Sequence, residues 1–81
     1  MTPVTVLSKP KCPQCDATKR KLDKLGVPFT VRDIIEDPAA ADKVRELGYQ
    51  AVPVVITADD HWYGYRPDKL GGLIAEKEKT A

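Results

Sequence analysis

Residues that build most functional sites are scarce in this sequence, which has one histidine, two cysteines and one tryptophan among 81 residues. A tetrahedral structural zinc site needs four ligands, and beyond the cysteines only His61 and carboxylates are on offer, so no metal is expected. His61, alone where a turn meets a short strand, is read as a solvated or hydrogen-bonded side chain. Two cysteines are also a poor disulfide framework for a secreted fold. An excess of charge of one sign is missing too. Thirteen lysines and arginines stand against 12 acids, a net charge of +1, so no overall field draws the protein to nucleic-acid phosphates. No run of about eighteen apolar residues occurs, and Met1-Thr2-Pro3-Val4-Thr5-Val6 has no basic leader followed by a long apolar stretch. No membrane partner is expected, and the expected location is cytoplasmic. Internal repeats and low-complexity segments are absent.

The length suits one domain spanning residues 1–81, only just able to bury a core. It can hold a site made of backbone and a few side chains, but hardly a deep pocket for an organic cofactor. Electron or group transfer by a monomer without a bound cofactor suits that limit.

Val4 to Ser8 is a β-rich run ending at Lys9-Pro10-Lys11-Cys12. From Pro13 the period changes: Cys15, Thr18, Leu22 and Leu25 recur at helical steps, with Pro13 suited to the first turn and Gly26 to the end. The basic run Lys19-Arg20-Lys21 falls on the other side and reads as a solvated face. Phe29 and Val31 alternate with Thr30 and Arg32 in a second strand, parallel to the first through a right-handed crossover. A second helix opens at Asp37 with Pro38 behind it, buries Ala40, Val44 and Leu47, and stops at Gly48. Val52 to Ile56 reads as a buried strand, Ala58-Asp59-Asp60 as a turn, and His61 to Tyr63 as its hairpin partner. The last helix starts near Arg66-Pro67-Asp68, turns Leu70, Leu73, Ile74 and Lys77 to one face, and frays past Ala75. The order β-α-β-α-β-β-α predicts an α/β fold, a four-stranded mixed sheet with helices on both faces.

The spacing Cys12-x-x-Cys15 is catalytic or metal-binding in a reducing compartment. A dithiol that opens and closes needs Cβ atoms about 3.5 to 4.5 Å apart, slightly closer than a regular helix holds residues three apart. With Cys12 just before the helix and Cys15 in its first turn, non-helical backbone at Cys12 closes the gap. The Cys12 sulfur then takes the place of a capping acceptor, where the Cys15 N–H and the helix dipole favour thiolate. Lys9 and Lys11 add positive charge nearby. Position thus assigns Cys12 as nucleophile and Cys15 as resolving thiol. A rival of another class is a binding module, whose cysteines would hold a metal or an iron–sulfur cluster between two chains.

Cys12-Pro13-Gln14-Cys15 after a strand, Thr18-Lys19 behind it, Val52-Pro53 before a buried strand, and Trp62-Tyr63-Gly64-Tyr65-Arg66-Pro67-Asp68 before the last helix form a pattern over essentially the whole chain. It resembles the NrdH-redoxins, glutaredoxin-like proteins of the thioredoxin fold. The resemblance implies a dithiol oxidoreductase taking electrons from thioredoxin reductase and passing them to class Ib ribonucleotide reductase. It also implies a cis Val52-Pro53 bond that leaves the Val52 backbone open to an extended substrate, with an apolar rim from Pro13 and Pro53. Trp62, Arg66 and Pro67 become candidates either for docking a partner or for fixing the last helix. The chain departs from that family at Pro13, where Val or Met is usual, at Tyr63, where Ser is, and at Tyr65, where Phe is. Pro13 and Lys9 are shared with glutathione-dependent glutaredoxins, the alternative reading. Those proteins, however, place Tyr, Thr and a Gly-Gly with acids where this chain has Gln14, Ala51 and Arg66-Pro67-Asp68.

Overall fold

A capping side chain stands before a proline at the start of each of the first two helices. In the computed structural model, which describes residues 4–58 and 60–80 and side chains through residue 73, Cys12 precedes helix α1 (Pro13–Leu25) and Asp37 precedes α2 (Pro38–Glu46). Both caps have extended backbone, and the Asp37 carboxylate accepts the Ala39 N–H at 3.1 Å. The same carboxylate accepts from Arg32 Nε at 2.8 Å, and this bond holds Asp37 below the usual carboxylate range. Helix α1 ends on Gly26 at φ 72, with the Val27 N–H reaching back to the Leu22 carbonyl at 3.0 Å.

The strands are β1 (Thr5–Ser8), β2 (Thr30–Asp33), β3 (Val54–Ile56) and β4 (His61–Tyr63), followed by α3 (Pro67–Thr80). Element order is the expected one. The sheet runs β2-β1-β3-β4, with β1 and β2 parallel and the other pairs antiparallel. Period-two alternation divides its side chains between two clusters. Val4, Val6, Val55 and Trp62 meet Leu22 of α1 and Leu70 and Leu73 of α3 on one face. Leu7 and Val54 meet Ala40 and Val44 of α2 on the other, together with Cys12, Cys15 and Val52. Helices therefore cover both faces of the mixed sheet.

Some details differ from expectation. Val31, on the edge strand β2, is 42% exposed. Helical backbone continues past Ala75 to Thr80, through a segment of good helix formers that extends a helix already held by Leu70 and Leu73. Asp59 of the expected turn, and the side chains of Ile74 and Lys77, lie outside the described residues. His61 is hydrogen-bonded as expected, its Nδ1 lying 2.8 Å from the Tyr49 hydroxyl.

Trp62 requires a correction. A docking anchor needs its ring at the surface, yet Trp62 is only 5% exposed and packs in the cluster under α1 and α3, with Lys69 Nζ 5.6 Å from the ring centroid. Alternation along β4 causes this, sending Trp62 inward and His61 and Tyr63 outward. The ring fixes the last helix and offers a partner almost no surface. Trp62→Ala is accordingly expected to cost about 3–5 kcal/mol of stability in urea unfolding, with Trp62→Phe retaining most of it. A near-neutral Trp62→Ala would contradict the core assignment.

Candidate dithiol site

The loop after β1 turns sharply into α1. Lys11 takes a left-handed backbone, φ 57, uncommon for a side chain larger than Asn, and Cys12 returns to extended geometry before Pro13 opens the helix. The Asp16 N–H makes the first helical bond, to the Cys12 carbonyl at 3.0 Å. The Cys15 N–H points to Cys12 Sγ at 3.2 Å, the expected capping contact. Cys12 and Cys15 form a disulfide with Cα atoms 5.2 Å apart, within the usual range for such bridges. Exposure distinguishes the two sulfurs' residues: Cys12 keeps 7% of its surface and Cys15 none. Approach from solvent is therefore through Cys12.

The wall beside the dithiol comes from the segment before β3. The Val52-Pro53 bond is cis, as the family resemblance implied. Among the described residues the Val52 N–H and C=O have no hydrogen-bond partner, whereas the Pro53 carbonyl accepts the Gly64 N–H at 2.8 Å. Pro53 is fully buried. The apolar rim expected from Pro13 and Pro53 together thus reduces to the exposed Pro13, because the Pro53 ring packs inward beneath the surface.

Gln14 has a role that its position alone did not reveal. Its backbone carbonyl accepts the Thr18 hydroxyl at 2.9 Å, which satisfies the one buried side-chain hydroxyl of α1. Its side-chain Oε1 accepts the Tyr65 N–H at 3.3 Å and sits 3.6 Å from where a Cβ on Gly64 would stand. Gly64, at φ 87, turns the chain after β4, so the cysteine loop, the Pro53 segment and the β4–α3 turn are tied at one corner. The available sequence signal was a glycine between aromatics, which marks a turn but not its neighbour.

The remaining predicted residues lie around this corner. Lys9 and Lys11 are exposed in the loop before α1. Arg66 turns back on Asp68, Nη2 to Oδ2 3.1 Å and Nε to Oδ1 3.3 Å, while its carbonyl accepts the Leu70 N–H in the first turn of α3. This pairing lowers the Asp68 carboxyl below its ordinary range. Pro67 is exposed at the first position of α3.

Comparison with known proteins agrees with this arrangement. The glutaredoxin family model matches residues 4–62. The glutaredoxin-like protein NrdH of Escherichia coli is 37% identical over 70 residues, covering 86% of each chain. That of Lactococcus lactis subsp. cremoris is 39% identical over 70 residues, 86% of this chain and 97% of the relative. The solved structure of the Escherichia coli NrdH-redoxin superposes with a TM-score of 0.84 at 37% identity, over 88% of this chain and 93% of that one.

The corner makes a specific demand on Gly64. A residue with a Cβ at its positive φ costs about 1–2 kcal/mol, so Gly64→Ala should lose that much in urea unfolding. Gln14→Ala, which gives up one exposed bond, should lose at most about 0.5 kcal/mol. Equal losses for the two variants would mean that the glutamine contact, and not the turn, holds the corner.

Proposed function

Because the chain belongs to the glutaredoxin family, as an NrdH-like thiol–disulfide oxidoreductase with a Cys12–Cys15 pair, we propose that it is a cytoplasmic, monomeric electron carrier that takes electrons from thioredoxin reductase and delivers them to class Ib ribonucleotide reductase. The observation that carries the chemistry is the N–H of Cys15 aimed at Cys12 Sγ at the start of α1. In the reduced protein that donor and the helix dipole stabilise a thiolate on Cys12. This thiolate attacks one sulfur of the substrate disulfide, forming a mixed disulfide and expelling the other substrate sulfur as thiolate. The Cys15 thiol then loses its proton and attacks Cys12 Sγ, which releases the second substrate sulfur and leaves the Cys12–Cys15 disulfide. Two electrons have passed to the substrate, and the reductase returns two. No bound cofactor takes part. The unpaired Val52 backbone supports substrate docking as an added strand segment.

The choice of electron donor rests on which groups are left to recognise it. Glutathione presents two carboxylates and an amine, so it needs converging donors and acceptors. Here Gln14 Oε1 is engaged by the Tyr65 N–H, Arg66 is neutralised by Asp68, and Ala51 offers no side-chain hydroxyl. Of the positions shared with glutathione-dependent glutaredoxins, Lys9 is the one cation left, and it does not by itself define a groove. The thioredoxin-like activity profile of the Escherichia coli NrdH-redoxin favours the same donor.

Two outcomes are expected. With an oxidised protein substrate, Cys15→Ser should accumulate a mixed disulfide through Cys12 that mass spectrometry detects, whereas Cys12→Ser should form none and lose turnover. An adduct only on Cys12→Ser would reverse the roles. On one common substrate, kcat/KM with NADPH and thioredoxin reductase should exceed that with glutathione and glutathione reductase. Equal or better turnover with glutathione would make the protein a glutathione-dependent glutaredoxin and Pro13 its truthful signal.

A further inference from the structure

Ion pairing divides the described cations into two groups. Lys19, Arg32, Lys43, Arg45, Arg66 and Lys69 each pair with a carboxylate, namely Asp16, Asp37, Glu46, Asp42, Asp68 and Asp60. The described cations left without an ion pair are Lys9, Lys11, Arg20, Lys21 and Lys24, and all of them lie in the loop before α1 or on α1 itself. Among the described residues, the uncompensated positive charge thus lies on α1 and the loop that leads into it, to either side of the dithiol. The run Lys19-Arg20-Lys21 is split by the fold: Lys19 is paired with Asp16, whereas Arg20 and Lys21 face an open groove.

That groove is a shallow, open depression of about 290 Å³ lined by Ala17, Arg20, Lys21, Lys24 and Tyr65. None of its described lining residues is acidic. Asp23 is the acid of α1 without an ion pair, and it is not part of the lining. Tyr65, 37% exposed, supplies an apolar wall, and its N–H is bonded to Gln14 Oε1 inside the Cys12–Cys15 loop. The groove, with three cations and an aromatic ring in its described lining, thus adjoins the turn that is bonded to Gln14 between the two cysteines.

We propose that this groove receives an acidic segment flanking the disulfide of the protein partner, with carboxylates facing Arg20, Lys21 and Lys24 and an apolar side chain against Tyr65. The inference rests on the electron-carrier reading and adds the chemistry by which that carrier selects its partner. Charge complementarity identifies the occupant, since burying three unpaired cations against a neutral segment would cost solvation without return.

The test uses pre-reduced protein and two synthetic peptides with the same disulfide, one flanked by Asp and Glu, the other by Asn and Gln. At about 20 mM ionic strength the acidic peptide should be reduced with about tenfold higher kcat/KM, and the ratio should shrink toward unity at about 300 mM as exposed charges are screened. Arg20→Glu/Lys24→Glu should remove or invert the ratio. Lys43→Glu/Arg45→Glu, which changes net charge equally on α2, should leave most of it. Equal reduction of both peptides by the native protein would overturn the groove and leave the electron-carrier reading standing. An equal effect of the two double variants would also overturn it, because the overall field and not the groove would then be responsible. Failure to reduce either peptide would remove the reading on which the inference rests.

Discussion

One placement governs the chemistry: Cys12 stands just outside α1, in extended backbone, with its sulfur where a capping oxygen would otherwise be. Were the helix to begin one residue earlier, Cys12 would be helical, its sulfur would lose the Cys15 N–H, and the pair would be held by regular helical spacing. Two neighbours enforce the start. Pro13 belongs at a first helical position, where its missing N–H leaves no bond unmade, and Lys11 turns the chain through a left-handed residue before it. The disulfide, the accessibility of Cys12 and the shielding of Cys15 all depend on that boundary.

The sheet makes the boundary useful by what it brings alongside. Strand β1 ends at the dithiol, and its antiparallel neighbour β3 begins just after Pro53, so the cysteine loop and the Val52 backbone meet at the same end of the sheet. Cys12, Cys15 and Val52 share one apolar cluster with Leu7 and Val54, which keeps the resolving sulfur dry. Turning at Gly64, the chain then adds a third wall, fastened through Gln14 to the Tyr65 N–H and through the Gly64 N–H to Pro53. A local helix start thus becomes a site with three sides.

Aromatic residues show how alternation sorts function from core. Trp62, read from the sequence as either anchor or cap, is turned inward by the pleat of β4, while Tyr63 on the same strand is exposed. Tyr65 lies beyond the strand, after the glycine turn, and its exposure comes from that turn. The exposed aromatic nearest the cysteine loop is therefore not the one that residue type alone would select. Size and hydrophobicity rank Trp62 first for binding, but they rank it first for burial as well.

The sequence alone determined the local features: helix starts at Pro13 and Pro38 with their capping residues, the stop at Gly26, the parallel crossover, the hairpin, and hence the fold class and the cysteine pair. Each is written within a few residues, in proline and glycine placement, capping side chains and hydrophobic period, so it is legible without knowing what lies across the fold. Only the tertiary structure decided that Trp62 and Pro53 are buried, that Arg66 folds onto Asp68, that Gln14 meets the Tyr65 N–H beside the Gly64 turn, and that Arg20, Lys21 and Lys24 line a groove beside it. Those outcomes join residues distant along the chain, as Gln14 and Tyr65 are, or depend on which side of an element faces a neighbour. Local propensity carries no information about either, because such contacts are set by packing once the elements have already formed.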